Sequence, residues 1–348
     1  MSVKKKSIGS RRWLVTGAAG FIGSHLVEEL LGQGQHVVGF DNLSTGKLSN
    51  LNEVRSLVGE ERWGRFKLVE GNVEDLHAIT LAAGGCHVIL HEAALGSVPL
   101  SIEKPLQTHA SNATGFVHVL EAAREHGIRR VVYASSSAVY GNNTELPLRE
   151  QSAGGVLSPY AASKLVDEIY ARAYASSYGM EMVGLRYFNV FGPRQDPNGA
   201  YAAVIPRWIQ AILSGKKVVI NGNGNNTRDF CFVKDVVRAN LLAATAILEP
   251  GTSLALNVGG GRATCLLDLF DILAKLGTRY VPTGNPHRPT FGPVRSGDIL
   301  HSTADVGAAD KALGYHAECP LEESLQKTLE WFSQFKNGKP AGTEAESP

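Results

Sequence analysis

Tyr160 and Lys164 stand four residues apart in the segment SPYAASK. If Pro159 lies in the first turn of a helix, this spacing puts the phenol and the ammonium on one helix face. A free tyrosine titrates near ~10, so its ionisation at neutral pH needs a shift of about three units, or roughly 4 kcal/mol. A neighbouring ammonium favours the phenolate, which makes Tyr160 a candidate general base. On an arbitrary helix the same spacing is typical of a surface pair.

Three consecutive serines, Ser135, Ser136 and Ser137, end the apolar run that starts at Arg130. The run predicts a strand, so the serines lie at its carboxyl end, where ligands bind on a parallel sheet. Their hydroxyls could bridge a substrate oxygen to the phenol of Tyr160. The alternative interpretation is a serine-rich turn.

The segment GAAGFIG, from Gly17 to Gly23, lies between the first predicted strand and an apolar-periodic helix. Glycines permit a tight turn and close backbone approach, so the free amides of the helix can face a pyrophosphate. Asp41 follows 18 residues past Gly23, where a carboxylate accepts both ribose hydroxyls of an adenosine. Because a carboxylate repels a 2′-phosphate, NAD is favoured over NADP. The positive ring of NAD would further stabilise the Tyr160 phenolate.

Small or polar residues follow the third and fourth predicted strands, at Asn72 and Val73 and from Ala93 to Gly96. Such residues allow a flat dinucleotide to lie against the strand ends. Ordinary turns explain them almost equally well when they are taken alone. For the nucleotide loop, the alternative is a glycine turn beside a surface Asp41.

Short apolar runs alternate with amphipathic segments over the first 190 residues. This pattern predicts a parallel sheet with helices on both faces, because each parallel connection needs a crossover long enough to hold a helix. The predicted strands are Trp13 to Thr16, His36 to Phe40, Phe66 to Val69, His87 to His91, Arg130 to Ser135 and Met182 to Tyr187.

A second, smaller unit is predicted after Gly192, where proline and glycine interrupt the pattern. Its predicted helices are Ala203 to Leu213, Lys234 to Leu248, Leu266 to Leu276 and Leu321 to Phe335. We predict a cofactor-binding domain over 13–192 and a substrate-binding domain over 193–336, partly interleaved with the first. Flexible tails are expected at 1–12 and 337–348.

The charge balance excludes two classes of partner. The chain has 34 basic and 33 acidic residues and a net charge of +1, whereas proteins that track nucleic acid or anionic membrane show a basic stripe. No apolar run reaches the roughly 18 residues that span a membrane. The 4 cysteines form no CxxC pair, which argues against a metal site and fits reduced thiols in a cytoplasmic protein. The basic start at Arg11 and Arg12 is interpreted as a solvated tail, with a twin-arginine export signal as the alternative.

From about Trp13 to Phe332 the sequence resembles the extended short-chain dehydrogenase/reductase family, in its group of NAD-dependent sugar epimerases and dehydratases. The resemblance rests jointly on GAAGFIG, SSSAVYG, SPYAASK, RYFNVFG from Arg186, RDF from Arg228 and RSGD from Arg295. It implies an α/β fold of the Rossmann type, with a doubly wound parallel sheet and a smaller C-terminal substrate-binding domain.

Members of this family differ in chemistry at the serine stretch. Dehydratases carry an Asp-Glu pair just before Val-Tyr-Gly, and sugar-nucleotide decarboxylases carry a Glu at the second position, whereas this chain has Ser137 and Ala138. The resemblance therefore implies epimerisation. Tyr160 would take the proton of the 4-hydroxyl, relayed by Ser136, while a hydride leaves carbon 4 for NAD. The resulting 4-keto sugar would then turn its other face to the same hydride.

The resemblance also implies the binding residues. Besides Tyr160 and Lys164, the expected NAD residues are Gly17, Gly20, Phe21, Ile22, Gly23, Asp41, Asn42, Ser44, Gly46, Asn72, Val73, Ala93, Ala94, Tyr187 and Val190. The expected UDP-sugar residues are Gly96, Ser97, Val98, Ser136, Ser137, Asn189, Tyr201, Ala203, Val204, Asn221, Arg228, Arg295, Asp298 and Ser302. Arg228 and Arg295 match the family's diphosphate clamps, since each guanidinium can bind two oxygens. Either arginine taken alone could instead form an ordinary surface salt bridge.

Within the family the sequence most resembles bacterial UDP-N-acetylglucosamine and uronate 4-epimerases of surface-polysaccharide pathways, through ALGSVP from Ala94 and QDPNGAY from Gln195. Ser302 stands where galactose-only epimerases have a bulky tyrosine, so room for a 2-acetamido group is expected. Asn72 replaces the usual Asp near the adenine. Leu100 stands where close relatives tend to have Arg, which favours a neutral hexosamine. We therefore predict interconversion of UDP-N-acetylglucosamine and UDP-N-acetylgalactosamine.

Several alternatives stay open. The substrate could be UDP-N-acetylglucosaminuronate, UDP-glucose or UDP-glucuronate, or the chain could be a net dehydrogenase or reductase. A non-catalytic nucleotide-sensing module would retain the fold without the chemistry. Apolar stripes on 106–125 and 160–177 predict a homodimer through a four-helix bundle, as in the family, although burial within the monomer explains them nearly as well.

Overall fold

The structure is a computed structural model and describes residues 9–198, 202–281, 288–293 and 299–336. Its strands are β1 (Arg12–Thr16), β2 (His36–Asp41), β3 (Phe66–Glu70), β4 (Val88–His91), β5 (Arg130–Ser136), β6 (Glu181–Tyr187), β7 (Val190–Phe191), β8 (Val219–Asn221), β9 (Thr227–Asp229), β10 (Cys231–Phe232), β11 (Ser253–Val258), β12 (Ala263–Cys265) and β13 (Thr290–Gly292).

The helices are α1 (Phe21–Gly32), α2 (Leu48–Trp63), α3 (Leu76–Ala83), α4 (Val98–Glu103), α5 (Pro105–His109), α6 (Gly115–Glu125), α7 (Pro159–Tyr178), α8 (Val204–Leu213), α9 (Val233–Thr245), α10 (Leu266–Gly277), α11 (Gly307–Leu313) and α12 (Leu321–Lys336). A π-helical turn (Ala110–Thr114) joins α5 to α6, and short 3₁₀ turns cover Ser137–Tyr140 and Glu150–Ser152. Among the described residues, no helix combines the length and apolar character needed to cross a bilayer.

Seven strands form one parallel sheet in the order β11, β6, β5, β4, β1, β2, β3. The central strands are buried on both faces. Trp13 and Val15 of β1 pack with α1 and α9, whereas Leu14 packs with α3 and α6 on the other face. Such double coverage explains why these strands appear in the sequence as continuous apolar runs.

The sheet is wound outward in both directions from β1. Because β2 and β4 flank β1, their connections leave it toward opposite edges. A crevice opens at the carboxyl ends of β1 and β4, which is the place where ligands bind on an open α/β sheet. The α/β Rossmann-type fold predicted from the sequence is confirmed.

Six strands of this sheet were predicted from the sequence, and the seventh was not. β11 lies beyond Gly192, yet it pairs in parallel with β6, with Ser253 opposite Met182 and Val258 opposite Tyr187. Its six residues, SLALNV, carry too short an apolar pattern to separate a strand from a loop. The edge strand beside β6 therefore comes from the part of the chain after residue 192.

Most of the chain after Gly192, apart from α9, α11 and β11, which pack with the sheet, forms a smaller layer over the carboxyl ends of the strands. Helices α8, α10 and α12 enclose a separate apolar core around Trp208, Ile209, Phe270, Leu273 and Leu325. Each helix has the apolar spacing of a one-sided helix, and the four helices predicted in this part of the chain are present within a few residues of their expected bounds. The short parallel pair β7 and β10 joins this layer to the end of β6.

Candidate active site

The GAAGFIG segment forms the turn between β1 and α1. Gly17 has a φ of +67°, and a side chain there would come within 2.8 Å of the Ala93 nitrogen. A side chain on Gly23 would lie 2.0 Å from the Gly17 carbonyl oxygen. Both positions therefore require glycine. Gly20 precedes α1 and offers no side-chain cap, so the first amides of the helix are available to an anion.

Asp41 ends β2 and its carboxylate is held by the backbone. Oδ2 accepts a hydrogen bond from the Ala19 amide at 2.9 Å, and Oδ1 accepts one from the Leu43 amide at 2.8 Å. A side chain on Gly46 would approach Asp41 Oδ1 to 2.8 Å, so glycine keeps this side of the carboxylate clear. The carboxylate is thus fixed in the wall of the crevice, where the ribose of an adenosine is expected.

These residues line one cavity at the carboxyl ends of β1, β2 and β4. Of the predicted NAD residues, its lining contains Gly17, Gly20, Phe21, Ile22, Gly23, Asp41, Asn42, Ser44, Val73, Ala93 and Ala94. Gly46 and Asn72 stand outside this lining, and Asn72 Oδ1 accepts a hydrogen bond from the Glu74 amide at 3.1 Å. The cavity combines free helix amides, a fixed carboxylate and a wall of small residues, which fits an adenine dinucleotide.

Tyr160 stands in the first turn of α7. The helix begins at Pro159, and Ser158 caps it by accepting a hydrogen bond from the Ala161 amide at 3.1 Å. This start places Tyr160 in the wall of a second cavity. Lys164 follows one turn later and is 2% exposed.

Lys164 is paired with an acid that the sequence analysis did not single out. Its ammonium donates a hydrogen bond to Asp167 Oδ2 at 3.2 Å. Burial opposes the charge of Lys164, but the Asp167 carboxylate and then Tyr160 outweigh that effect, so the pKa of Lys164 is raised. Burial raises the pKa of Asp167 to about 7, although Lys164 acts in the opposite direction. Lys164 therefore stays protonated, and its charge acts on Tyr160.

The serine cluster divides into two roles. Ser135 is buried and donates a hydrogen bond to Glu168 of α7 at 2.6 Å. All three serines line the same cavity as Tyr160. The Ser136 hydroxyl also accepts a hydrogen bond from the Ala138 amide at 3.1 Å, which orients it at the end of β5. Ser135 lines the cavity, but its hydroxyl donates to Glu168 and so ties α7 to the sheet, whereas the hydroxyls of the next two serines can still donate to a ligand.

The second cavity has a volume of about 680 Å³ and lies between the sheet and the smaller layer. The predicted residues that line it are Gly96, Val98, Ser136, Ser137, Tyr160, Tyr187, Asn189, Val190, Ala203, Val204, Asn221, Arg228 and Ser302. Phe21, Ile22 and Gly96 line both cavities, so the two meet there. Ser97, which was also predicted to contact the UDP-sugar, is not part of this lining. Its hydroxyl instead caps α4 by accepting a hydrogen bond from the Leu100 amide at 3.1 Å.

Arg228 and Ser302 are held next to each other by β9. The Arg228 guanidinium donates to the carbonyl oxygens of Thr227 at 3.0 Å and Leu300 at 3.2 Å. The Ser302 amide donates to the Thr227 carbonyl at 3.2 Å, and its side chain is buried. The predicted residues Tyr201, Arg295 and Asp298 lie outside the described residues.

The described lining of the second cavity is cationic. It contains Arg228 and also Arg207 of α8, and it contains no Asp or Glu. Arg207 was not singled out from the sequence, because nothing in a single helical arginine separates a ligand contact from a solvated side chain. In the described part of the chain, no cluster of His, Cys, Asp and Glu could hold a metal ion. The cavity thus suits an anion such as a diphosphate.

Asn112 is a further residue that the sequence analysis missed. It lies in the π-helical turn and is fully buried. Its side chain accepts from the Leu95 amide at 2.8 Å and donates to the Leu95 carbonyl at 3.2 Å and to the Ser163 hydroxyl at 3.0 Å. Asn112 therefore ties the loop after β4 to the catalytic helix. In the sequence, the signal for this role is a single asparagine within the segment 106–125, which carries an apolar stripe.

Comparison with known proteins agrees with this geometry. A family model described as the NAD dependent epimerase/dehydratase family matches residues 13–259. A UDP-glucose 4-epimerase from Mycolicibacterium smegmatis is 38% identical over 323 residues, which cover 92% of this chain and 98% of the relative.

Two solved structures have the same fold. The UDP-N-acetylglucosamine 4-epimerase from Methanobrevibacter ruminantium, in complex with UDP-N-acetylmuramic acid, has a TM-score of 0.85 and 37% identity, covering 93% of this chain and 99% of that one. The Thermotoga maritima UDP-glucose 4-epimerase with UDP-glucose has a TM-score of 0.84 and 35% identity, with coverages of 93% and 99%. These relatives are isomerases, in agreement with the enzyme class predicted from the sequence. The chain belongs to the NAD dependent epimerase/dehydratase family, and NAD is its cofactor.

Proposed function

We propose that the enzyme interconverts UDP-N-acetylglucosamine and UDP-N-acetylgalactosamine by inverting carbon 4 through a 4-keto sugar. The observation that carries this proposal is the second cavity, where Tyr160, Ser136, Arg228 and Ser302 line one space that meets the cofactor cavity. This cavity therefore supplies a base, a hydroxyl relay, a diphosphate contact and room for the sugar. UDP-sugar 4-epimerase activity is also what the relatives share.

The catalytic roles follow from the positions of three side chains. When bound, NAD supplies the reversible acceptance and return of a hydride. Tyr160 removes the proton of the 4-hydroxyl, and the Ser136 hydroxyl orients that oxygen. Lys164, which is protonated and buried, follows one turn later on α7 and interacts electrostatically with Tyr160. The same phenol returns the proton after the sugar has turned its other face.

Epimerisation is favoured over elimination of water by the charge of the cavity. Elimination needs an additional acid and base to deliver and remove protons at neighbouring carbons. The described lining offers Ser137 and Ala138 at the positions where dehydratases carry acids, and no carboxylate elsewhere. With no carboxylate in the described lining, the phenol of Tyr160 carries the proton, which suits oxidation and return at a single carbon.

The N-acetylated substrate is supported by Ser302. Its short side chain is buried in the cavity wall and leaves space that a tyrosine at this position would fill. The solved relative at 37% identity is a UDP-N-acetylglucosamine 4-epimerase. The competing substrate is UDP-glucose, which is favoured by the identity of 38% to the Mycolicibacterium smegmatis enzyme. A cytoplasmic location and a role in polysaccharide synthesis stay predictions.

The test is turnover of the purified protein with UDP-N-acetylglucosamine, UDP-glucose and UDP-N-acetylglucosaminuronate, each followed by chromatography of its 4-epimer. We expect the fastest conversion for the first. Faster conversion of UDP-glucose would replace the substrate but retain the reaction. Stoichiometric NADH accumulation would indicate a dehydrogenase, and bound NAD without turnover of any UDP-sugar would indicate a sensor.

We also propose that the enzyme is a homodimer through a four-helix bundle of α5–α6 and α7 from each copy. Leu106 at the start of this surface is 85% exposed, and Ile169 and Tyr170 of α7 are 57% and 42% exposed. Large apolar side chains exposed together are typical of an interaction surface. Light scattering should give twice the monomer mass, and Leu106→Glu should shift it to the monomer. A monomeric wild-type protein would contradict the proposal.

A further inference from the structure

Glu92 has a carboxyl group in the wall of the cofactor cavity. This group has no role in the epimerisation proposed above. Glu92 follows β4 directly, and with Asp41 it makes up the acidic part of the described lining. The two carboxylates lie at opposite ends of the cavity. Asp41 ends β2, whereas Glu92 contacts Tyr187 of β6, and β1 lies between those two strands in the sheet.

The neighbours of Glu92 place it at the catalytic end. The Tyr187 hydroxyl donates to Glu92 Oε1 at 2.8 Å, and Asn240 Nδ2 donates to that hydroxyl at 2.8 Å. Tyr187 also lines the second cavity together with Tyr160. Since Asp41 stands at the adenosine end, Glu92 stands on the side where the nicotinamide must lie to reach a sugar beside Tyr160.

The charged and titratable groups around Glu92 come from three elements. Lys164 of α7 acts on Glu92 by its charge, and that ammonium is already paired with Asp167 at 3.2 Å. Burial raises the pKa of Tyr187 well above its usual range, so its hydroxyl stays neutral. Cys231 of β10 is the third group, and it interacts electrostatically with Tyr187. Burial raises the pKa of the Cys231 thiol above its usual range. Among the described residues, the positive charge that acts on Glu92 is that of Lys164, which Glu92 shares with Asp167.

We propose that Glu92 makes the cofactor site prefer oxidised over reduced nicotinamide, by placing a carboxylate beside the ring that is cationic in NAD⁺ and neutral in NADH. A negative charge near the cation stabilises it, and the same charge gains nothing from the neutral reduced ring. In the proposed reaction this preference would favour return of the hydride from NADH to the 4-keto sugar, which restores the oxidised cofactor that each catalytic cycle starts from. This inference rests on the NAD assignment and is independent of which sugar is the substrate.

The preference should depend on pH. Burial raises the pKa of Glu92 to about 7, against the Tyr187 hydrogen bond and Lys164. NAD⁺ binding favours the ionised carboxylate and lowers this pKa, whereas NADH does not. The preference for NAD⁺ is therefore present above the pKa and is lost as the pH falls through about 7.

The experiment is a competition between the two redox forms. The holoenzyme is equilibrated with a fixed mixture of NAD⁺ and NADH, free cofactor is removed, and the bound forms are released by denaturation and quantified by chromatography. We use Glu92→Gln, which keeps an oxygen for the Tyr187 hydroxyl. At alkaline pH the bound NAD⁺ to NADH ratio should be about tenfold higher in the wild type than in the variant. The wild-type ratio should fall toward acidic pH, and the variant ratio should be flat.

Asp41→Asn is the matched control, because it removes a carboxylate from the same cavity at the adenosine end. It should weaken binding of both forms and leave their ratio unchanged. Equal ratios and equal pH slopes for Glu92→Gln and the wild type would overturn the proposal. The measurement contains no sugar, so a failure of the proposed substrate would not affect it.

Discussion

The two cavities of this enzyme are built in opposite ways. The cofactor cavity is formed mainly by backbone that follows β1, β2 and β4, and its critical residues are glycines whose missing side chains leave room. The second cavity depends on side chains that are present, and they come from positions as distant as Ser136 and Ser302. Added atoms should therefore disable the first cavity, whereas removed or exchanged functional groups should disable the second.

The largest effect is expected from Tyr160→Phe, which removes the proton carrier and leaves the ring in place. Turnover should fall about a thousandfold, since general acid–base groups contribute in this range. NAD should remain bound, because the cofactor cavity is untouched. Turnover by chromatography and NAD content after denaturation measure the two effects. A Tyr160→Phe variant that turns over as fast as the wild type would contradict the mechanism.

Gly23→Ala should break the cofactor cavity instead. The added carbon would lie 2.0 Å from the Gly17 carbonyl oxygen, which is backbone and has little freedom to move. Overpacking of about 1–3 kcal/mol corresponds to a loss of roughly ten- to hundredfold in NAD affinity. Gly32→Ala at the end of the same helix is the control, because nothing lies within 4 Å of the new carbon. Equal NAD content in both variants would contradict the comparison.

Ser302→Tyr should narrow the second cavity without touching the first. Turnover of UDP-N-acetylglucosamine should fall about ten- to hundredfold relative to UDP-glucose, which is the range that pocket size controls. Ser302→Ala is the matched control and should leave the ratio between the two substrates unchanged. Undiminished N-acetylated turnover in the tyrosine variant would remove Ser302 from the specificity argument.

The smallest effect should come from Asp167→Asn, which acts on Lys164, the buried ammonium one helical turn beyond Tyr160. The Asp167 carboxylate offsets the burial of Lys164 and keeps its pKa raised. Without it, Lys164 should lose its proton at lower pH, and the alkaline limb of the turnover profile should move down by about one pH unit. Asp271→Asn, on exposed surface, serves as the control. An unmoved limb would show that Asp167 has only a structural role.

Much of the cofactor cavity could be predicted because its signals are local. The tight turn, the strand before it and the helix after it occupy adjacent positions from Arg12 to Gly32, so their spacing alone implies their contact. Asp41 follows by one more strand. The second cavity was predicted mainly through resemblance, since residues as distant as Ser136 and Ser302 have no sequence relation that indicates contact.

Other features followed from packing that no local pattern contains. Ser135 and Ser136 are adjacent, chemically alike and both in the wall of the second cavity, yet the Ser135 hydroxyl donates to Glu168 whereas the Ser136 hydroxyl accepts from the Ala138 amide. Asp167 and Glu168 are likewise adjacent acids, but one pairs with Lys164 and the other with Arg186. These divisions depend on which neighbour each side chain meets.

The sequence by itself determined the alternating strands and helices, the glycine turn, the acid at the end of β2 and the phenol–ammonium spacing on α7. These features are set by backbone conformation and by periodicity within one or two elements. Only the tertiary structure decided that β11 completes the sheet, that Arg207 and Ser302 line one cavity, and that Glu92 stands beside Tyr187. Those contacts join segments far apart in the chain, and burial and charge arise only after folding brings such segments together.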